Sequence, residues 1–195
     1  MRDQTTPMNP DRRSLLGTGV LSAGALLALA NVATPASAQR RRRASPNQGD
    51  VDLLNAAIGL EHEGIAAYTI AAGSGLLEPG VLALGVKFRG HHQQHRDDLI
   101  AAVGRLGGTP APAKTDAEYA VQINAAALRN QADILALALR LERGAANAYL
   151  GLIAPLANDG LEALVAQLAA DEVVHATTLA AALGETIPDR AKIFG

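Results

Sequence analysis

The sequence predicts an all-α protein: four long helices in two pairs, with one long connection between the pairs. Three observations carry this. The chain is 49% hydrophobic but only 3% aromatic, and its apolar residues are mostly Ala and Leu, which favour helix over sheet. Apolar residues recur at a spacing of three to four in four segments separated by Gly, Pro and Asn. The second half of the chain also repeats the polar positions of the first. No segment shows strand alternation or a hairpin turn.

The length of 195 residues suits one domain with a proper core. The absence of Cys excludes disulfides, thiolate metal sites, iron–sulfur clusters and a lipidated cysteine anchor. A formal charge of −2 gives no general attraction for nucleic acid.

Residues 1–38 read as an address and not as part of the fold. Arg12-Arg13 precedes Ser14-Leu15-Leu16, an apolar stretch through Val32 and the small residues Ala36-Ser37-Ala38. This is the three-part pattern of a signal peptide, with cleavage expected after Ala38. The paired arginines followed by Leu-Leu resemble a twin-arginine export signal. Asp11, where Ser or Thr is commoner, and Leu, where Phe often sits, depart from that pattern. Arg40-Arg41-Arg42-Arg43 disfavours the ordinary secretory route. Export to the periplasm or cell envelope is therefore expected, with no stable membrane span in the mature chain. Loss of the leader leaves 14 basic and 17 acidic residues, a formal charge of −3.

Residues 39–49 are polar and punctuated by Pro and Gly, and read as a flexible basic linker. A first helix is expected from Asp50, a good cap, to about Ala72, with Leu54, Ile58, Glu61, Ile65 and Tyr68 on one face. Pro79 suits the first turn of a second helix, which ends at Gly107-Gly108. In the connection that follows, Thr115-Asp116-Ala117-Glu118 is a capping-box pattern and predicts a short helix. A third long helix runs roughly from Arg129 to Ala157, with Leu135, Leu139, Glu142, Ala146 and Tyr149 on one face. Asn158-Asp159-Gly160 caps the fourth, which closes at Gly184. The tail 185–195 carries no recognisable function.

The repeat points to the site. LEHEGIAAY (60–68) aligns with LERGAANAY (141–149), and HHQQHRDDLIAAVG (91–104) with DEVVHATTLAAALG (171–184). Glu61 thus matches Glu142, Tyr68 matches Tyr149, His92 falls on Glu172, His95 on His175 and Gly104 on Gly184. On a helix, residues i and i+3 share a face, as do residues seven apart. A carboxylate buried in an Ala/Leu-rich bundle is costly unless a cation offsets it. The candidate metal ligands are therefore Glu61, His92, His95, Glu142, Glu172 and His175. Tyr68 and Tyr149 are candidates for the surrounding shell. His91 and His95 are also four apart and could instead be the ligand-bearing pair, but the repeat selects His92. His62 and Glu63 lie off the Glu61 face and are expected at the surface or between helices. Arg96, Arg140 and Arg143 could instead pair with the carboxylates, and Asp97 and Asp98 are expected to face solvent.

On these motifs the chain, over residues 50–184, resembles the ferritin-like superfamily, particularly the rubrerythrin and bacterioferritin type of dinuclear carboxylate protein. There one Glu comes from each of two helices and an E-x-x-H from each of the other two. The resemblance implies a ferritin-like four-helix bundle with Glu61 and Glu142 as terminal ligands. It also implies Glu172 as a bridge and one metal on each of His95 and His175. The sequence departs from the family at His92, where the family has a second bridging Glu, so a dinuclear or a mononuclear centre remains open. Fe is the favoured metal, with Mn or Zn as alternatives. The implied chemistry is ferroxidase or peroxide-consuming, with oxygen or peroxide as reaction partner; homo-oligomerisation is left open. The rival from a different class is a metal-free ferritin-like scaffold of the cell envelope.

Overall fold

The computed structural model describes residues 47–189 and 193–194. The expected leader, and the linker up to residue 46, lie outside the described residues. Four long helices form in the expected order: α1 (Gln48–Gly73), α2 (Pro79–Arg105), α4 (Gln131–Ile153) and α5 (Asp159–Ala182), with a short α3 (Asp116–Gln122) in the crossover. The described residues contain no strand, and none of their helices is long and apolar enough to cross a membrane. α1 packs chiefly on α2 and α4 chiefly on α5, while α1 faces α4 and α2 faces α5.

Local chemistry accounts for the boundaries. Pro79 occupies the first turn of α2, where its missing N–H costs nothing. The Asn130 side chain accepts from the Asp133 amide to start α4, and that of Asn158 accepts from the Gly160 amide to start α5. Thr115 and Glu118 form the expected reciprocal capping box on α3. α2 and α5 end alike, at Gly107 and Gly184, with φ of +76° and +74°. In both, the next amide reaches back five residues, Gly108 to Val103 and Glu185 to Ala180, each at 2.9 Å. The aligned Gly104 instead lies inside α2, which continues past it to Arg105.

Three expectations need correction. α1 begins at Gln48, so Gln48 and Gly49 belong to the helix and not to the linker. Asp50 is not its cap: it is 3% exposed, and its Oδ1 accepts the Ala157 amide at 2.9 Å. A buried carboxylate that satisfies a distant turn serves the tertiary structure better than it would serve its own helix end. α4 is shorter than expected at both ends, because Asn130 caps it and it stops at Ile153.

Two apolar clusters hold the bundle. One includes Leu54, Ile58, Leu99, Val103, Leu152 and Val165, all at most 1% exposed. The other includes Tyr68, Phe88, Leu135, Leu139 and Leu179. A fully buried side chain of this size contributes roughly 1.5–3 kcal/mol. Along every long helix the polar candidates lie between these clusters, so the polar layer has an apolar layer on either side. The crossover is tied to α1 by Asn55, whose side chain donates to the Thr109 carbonyl at 3.0 Å and accepts from the Ala111 amide at 2.7 Å.

Candidate metal centre

The repeat becomes a pseudo-two-fold relation in space, and its contacts cross from one half to the other. The Tyr68 hydroxyl of α1 donates to Glu142 Oε1 on α4, and the Tyr149 hydroxyl of α4 donates to Glu61 Oε1 on α1. Seven residues of helix separate each Glu from its Tyr, so two helices facing in opposite directions bring both pairs together at once.

All six candidate ligands point into the same layer. Glu61, His92, His95 and Glu172 present ligand atoms within 4.8 Å of one another, and so do His92, Glu142, Glu172 and His175. His92 and Glu172, aligned by the repeat, belong to both groups. The His92 ring spans two carboxylates: Nδ1 is 2.7 Å from Glu61 Oε2 and Nε2 is 3.2 Å from Glu142 Oε1. His95 turns Nδ1 inward, 3.1 Å from Glu172 Oε1. His175 does the same, with Nδ1 3.3 Å from Glu142 Oε2. Gly64 makes room for the His92 ring: a Cβ there would lie 3.1 Å from its Nδ1.

Burial makes these contacts consequential. Glu61, Glu142, Glu172 and His175 are each at most 1% exposed, and His92 and His95 4%. Burial opposes ionisation of Glu61, but hydrogen bonds from His92 and His95 outweigh it and hold its pKa below the usual value. Glu142 is held well below its usual value in the same way: burial is outweighed by Glu172, His175 and His92. Glu172 goes the other way, pushed up to about 7 by burial and by the Glu142 carboxyl beside it. Burial would lower the imidazoles, yet Glu142 and Glu61 hold His92 well above its ordinary value, and Glu172 and Glu61 raise His95 to about 10. His175 is raised by Glu142 and Glu172 against the same desolvation. Burial and the nearby carboxylates push both tyrosines well above 10, so they remain donors.

Two residues at this site were not among the candidate ligands. The outward Nε2 of His95 is 3.2 Å from Asp171 Oδ2, and the outward Nε2 of His175 is 2.9 Å from His91 Nδ1. Residues 91 and 171 are themselves equivalent in the repeat, and each supports the histidine of the opposite half. The repeat pairs residues 91 and 171, but only the register between antiparallel α2 and α5 places residue 91 opposite 175 and residue 171 opposite 95. Phe88 stacks on His175 with ring centroids 4.1 Å apart.

The other polar candidates lie elsewhere. Arg96 pairs with exposed Asp97, Arg143 pairs with Glu185, and Arg140 and Asp98 are exposed. Half-buried His62 lies 3.4 Å from the Ala111 carbonyl. Glu63 is 4% exposed, which leaves the second of its two expected places, between helices. It lies on α1, which the crossover packs against, and the one-helix periodicity that placed it off the Glu61 face could not reveal that covering.

The donor set fits a metal ion. Glu172 Oε2 is fully buried and has no hydrogen-bond partner; His175 Nδ1, 3.3 Å from it, bonds Glu142 instead. An orphaned carboxylate oxygen facing inward imidazole nitrogens is an acceptor that a cation satisfies. Carboxylates with imidazoles suit Fe, Mn and Zn.

Comparison with known proteins agrees with this architecture. A solved structure, of a conserved hypothetical protein from Mycobacterium tuberculosis, is similar to this chain at 25% identity with a TM-score of 0.60; the match covers 75% of this chain and 99% of that one. None of the curated proteins compared with the chain matches it. A family model for the ferritin-like domain matches residues 49–185, nearly all of the helical region just described. The chain therefore belongs to the ferritin-like domain family.

Proposed function

We propose that this protein binds one or two transition-metal ions between its four long helices and uses them in redox chemistry with oxygen or peroxide. The observation that carries the reading is the Glu172 carboxylate, fully buried, with an orphaned oxygen in a layer where six ligand side chains converge. Glu61 and His95 would hold one ion, Glu142 and His175 the other, and Glu172 lies within reach of both sets. Two divalent ions against three carboxylates leave one excess positive charge, which a hydroxide would balance. Iron is the favoured metal, and when bound it would supply one-electron chemistry toward oxygen or peroxide. The chain's own contribution is to fix the donors. Tyr68 and Tyr149 hold one oxygen each of Glu142 and Glu61, and the apolar clusters on either side keep bulk water from the layer.

Elemental analysis of protein purified from its native compartment tests this. At least one equivalent of a transition metal is expected, lost in Glu172→Ala. Less than about a tenth of an equivalent, unchanged in that variant, overturns the reading. A second reading is favoured by one feature: three imidazoles already offset three carboxylates, with His92 spanning Glu61 and Glu142. On that reading the layer is a salt-bridged core in a metal-free scaffold. The same measurement separates the two.

Export through the twin-arginine route is part of the proposal, supported by Arg12-Arg13 and the Ala36-Ser37-Ala38 site. Mass measurement of the mature N-terminus tests it: a chain starting at Gln39 is expected, and a retained leader overturns it.

A further inference from the structure

We infer that Asp171 and His91 are positioning residues for the two inward-facing histidines, and that the difference between them makes the halves of the centre unequal, with the His95 half taking up a divalent cation first. This rests on the metal-binding reading above. An imidazole offers Nδ1 to a cation only when its ring proton sits on Nε2, and that N–H then needs an acceptor. Both inward histidines have one. For His95 it is Asp171 Oδ2, 3.2 Å from Nε2; for His175 it is His91 Nδ1, 2.9 Å from Nε2.

The repeat makes the two halves comparable. Glu61 corresponds to Glu142, Tyr68 to Tyr149 and His95 to His175, while Glu172 and His92 are common to both groups. Among the polar groups, what differs is the acceptor behind each histidine. A carboxylate strengthens the imidazole as a donor and adds a negative charge near the cation; a second imidazole adds no such charge. The Asp171 side chain is 58% exposed and so stays in contact with solvent. The His95 half therefore carries one more negative charge than the His175 half. Phe88 also stacks on His175, a contact that does not pass through His91.

The test uses the full chain, freed of metal and titrated with Co(II). Hyperfine-shifted proton NMR reads the exchangeable imidazole N–H signals, and calorimetry reads affinity. The first equivalent is expected to produce an N–H signal that vanishes in Asp171→Ala and persists in His91→Ala, with the first binding step weakened about 10–100-fold in Asp171→Ala. Asp171→Asn, which keeps an acceptor but not the charge, restores the signal and recovers only part of the affinity. His91→Asp brings the second step up toward the first. The inference is overturned if wild-type protein binds Co(II) while Asp171→Ala changes neither signal nor affinity. It is also overturned if the first signal depends on His91 and not on Asp171. Uptake of a single Co(II) still requires dependence on Asp171. Wild-type protein that takes up no Co(II) overturns the metal reading itself, and this inference with it.

Discussion

His92 on α2 and Glu172 on α5 occupy equivalent positions in the two helix pairs, and their surroundings treat them in opposite ways. His92 has a carboxylate at each ring nitrogen, Glu61 on one side and Glu142 on the other. Glu172 keeps one oxygen with no partner. The space differs too: Gly64 lies against the His92 ring, whereas the residue aligned with Gly64 is Ala145. His92 is thus satisfied within the protein at both ring nitrogens, whereas Glu172, which both groups of converging side chains share, keeps an unbonded oxygen. Duplicated positions in a bundle need not carry duplicated duties.

The broadest way to break this comparison is to change protonation throughout the layer. In metal-free protein the folded-state pKa of His95 is about 10, above the ordinary 6.5. Its contribution is therefore complete below pH 6.5 and lost as pH rises toward 10. Glu172, raised from 4.5 to about 7, adds to the trend, because the folded chain keeps a proton that the unfolded chain has released. Glu61 and Glu142, both lowered, act only on the acid side, losing their contribution as pH falls below 4.5. The metal-free bundle should thus weaken from about pH 5 toward pH 10, while metal affinity strengthens as the ligands release protons. Urea midpoints that rise in metal-free protein from about pH 5 toward pH 10 would contradict the charge assignment.

Single substitutions sharpen it. His92→Ala leaves Glu61 and Glu142 buried without their shared partner and should cost about 3–5 kcal/mol in metal-free protein. Glu172→Gln, a neutral replacement for a carboxyl already inclined to hold its proton, should cost no more than about 1 kcal/mol at pH 6. Equal losses in urea denaturation would erase the contrast.

A smaller asymmetry lies at the helix starts. Asp50 of α1 accepts the Ala157 amide of the α4–α5 turn, and Gln131 of α4 accepts the Glu78 amide of the α1–α2 turn, at 2.8 Å. Asp50 is buried and the Gln131 contact is exposed. Asp50→Ala should cost about 1–3 kcal/mol, and Gln131→Ala less than about 0.5 kcal/mol, by the same denaturation measurement. The smallest effect concerns glycine. Gly59→Ala, with open space around it, should stabilise by about 0.5–1 kcal/mol through helix propensity alone. Gly64→Ala should lose that gain against the His92 ring; an equal gain at both positions would show that the ring is free to move.

Much of this is legible in the sequence alone. Glu61, Glu142, His95 and His175 stood out because the repeat places like residues at like helical positions, and helix geometry then fixes which face they share. The caps at Thr115, Asn158 and Gly184 followed from backbone chemistry a few residues long. Asp50 misled for the same reason: its residue type suits a cap, but the amide it serves is more than a hundred positions away. Asp171 and His91 were visible as residues but not as supports, since their role depends on the register between α2 and α5. The burial of Glu63 likewise depends on what covers α1, which no single-helix pattern contains.

The crossed contacts have a consequence for how the molecule is divided. Neither helix hairpin contains a finished site, because Tyr68 serves Glu142, Tyr149 serves Glu61, and each clip at a helix start reaches the other half's turn. The residues between α2 and α4 join the halves but supply none of the six converging side chains. The centre is in this sense an interface, formed by two hairpins meeting face to face within one chain. None of the centre's contacts named above passes through the peptide that joins them.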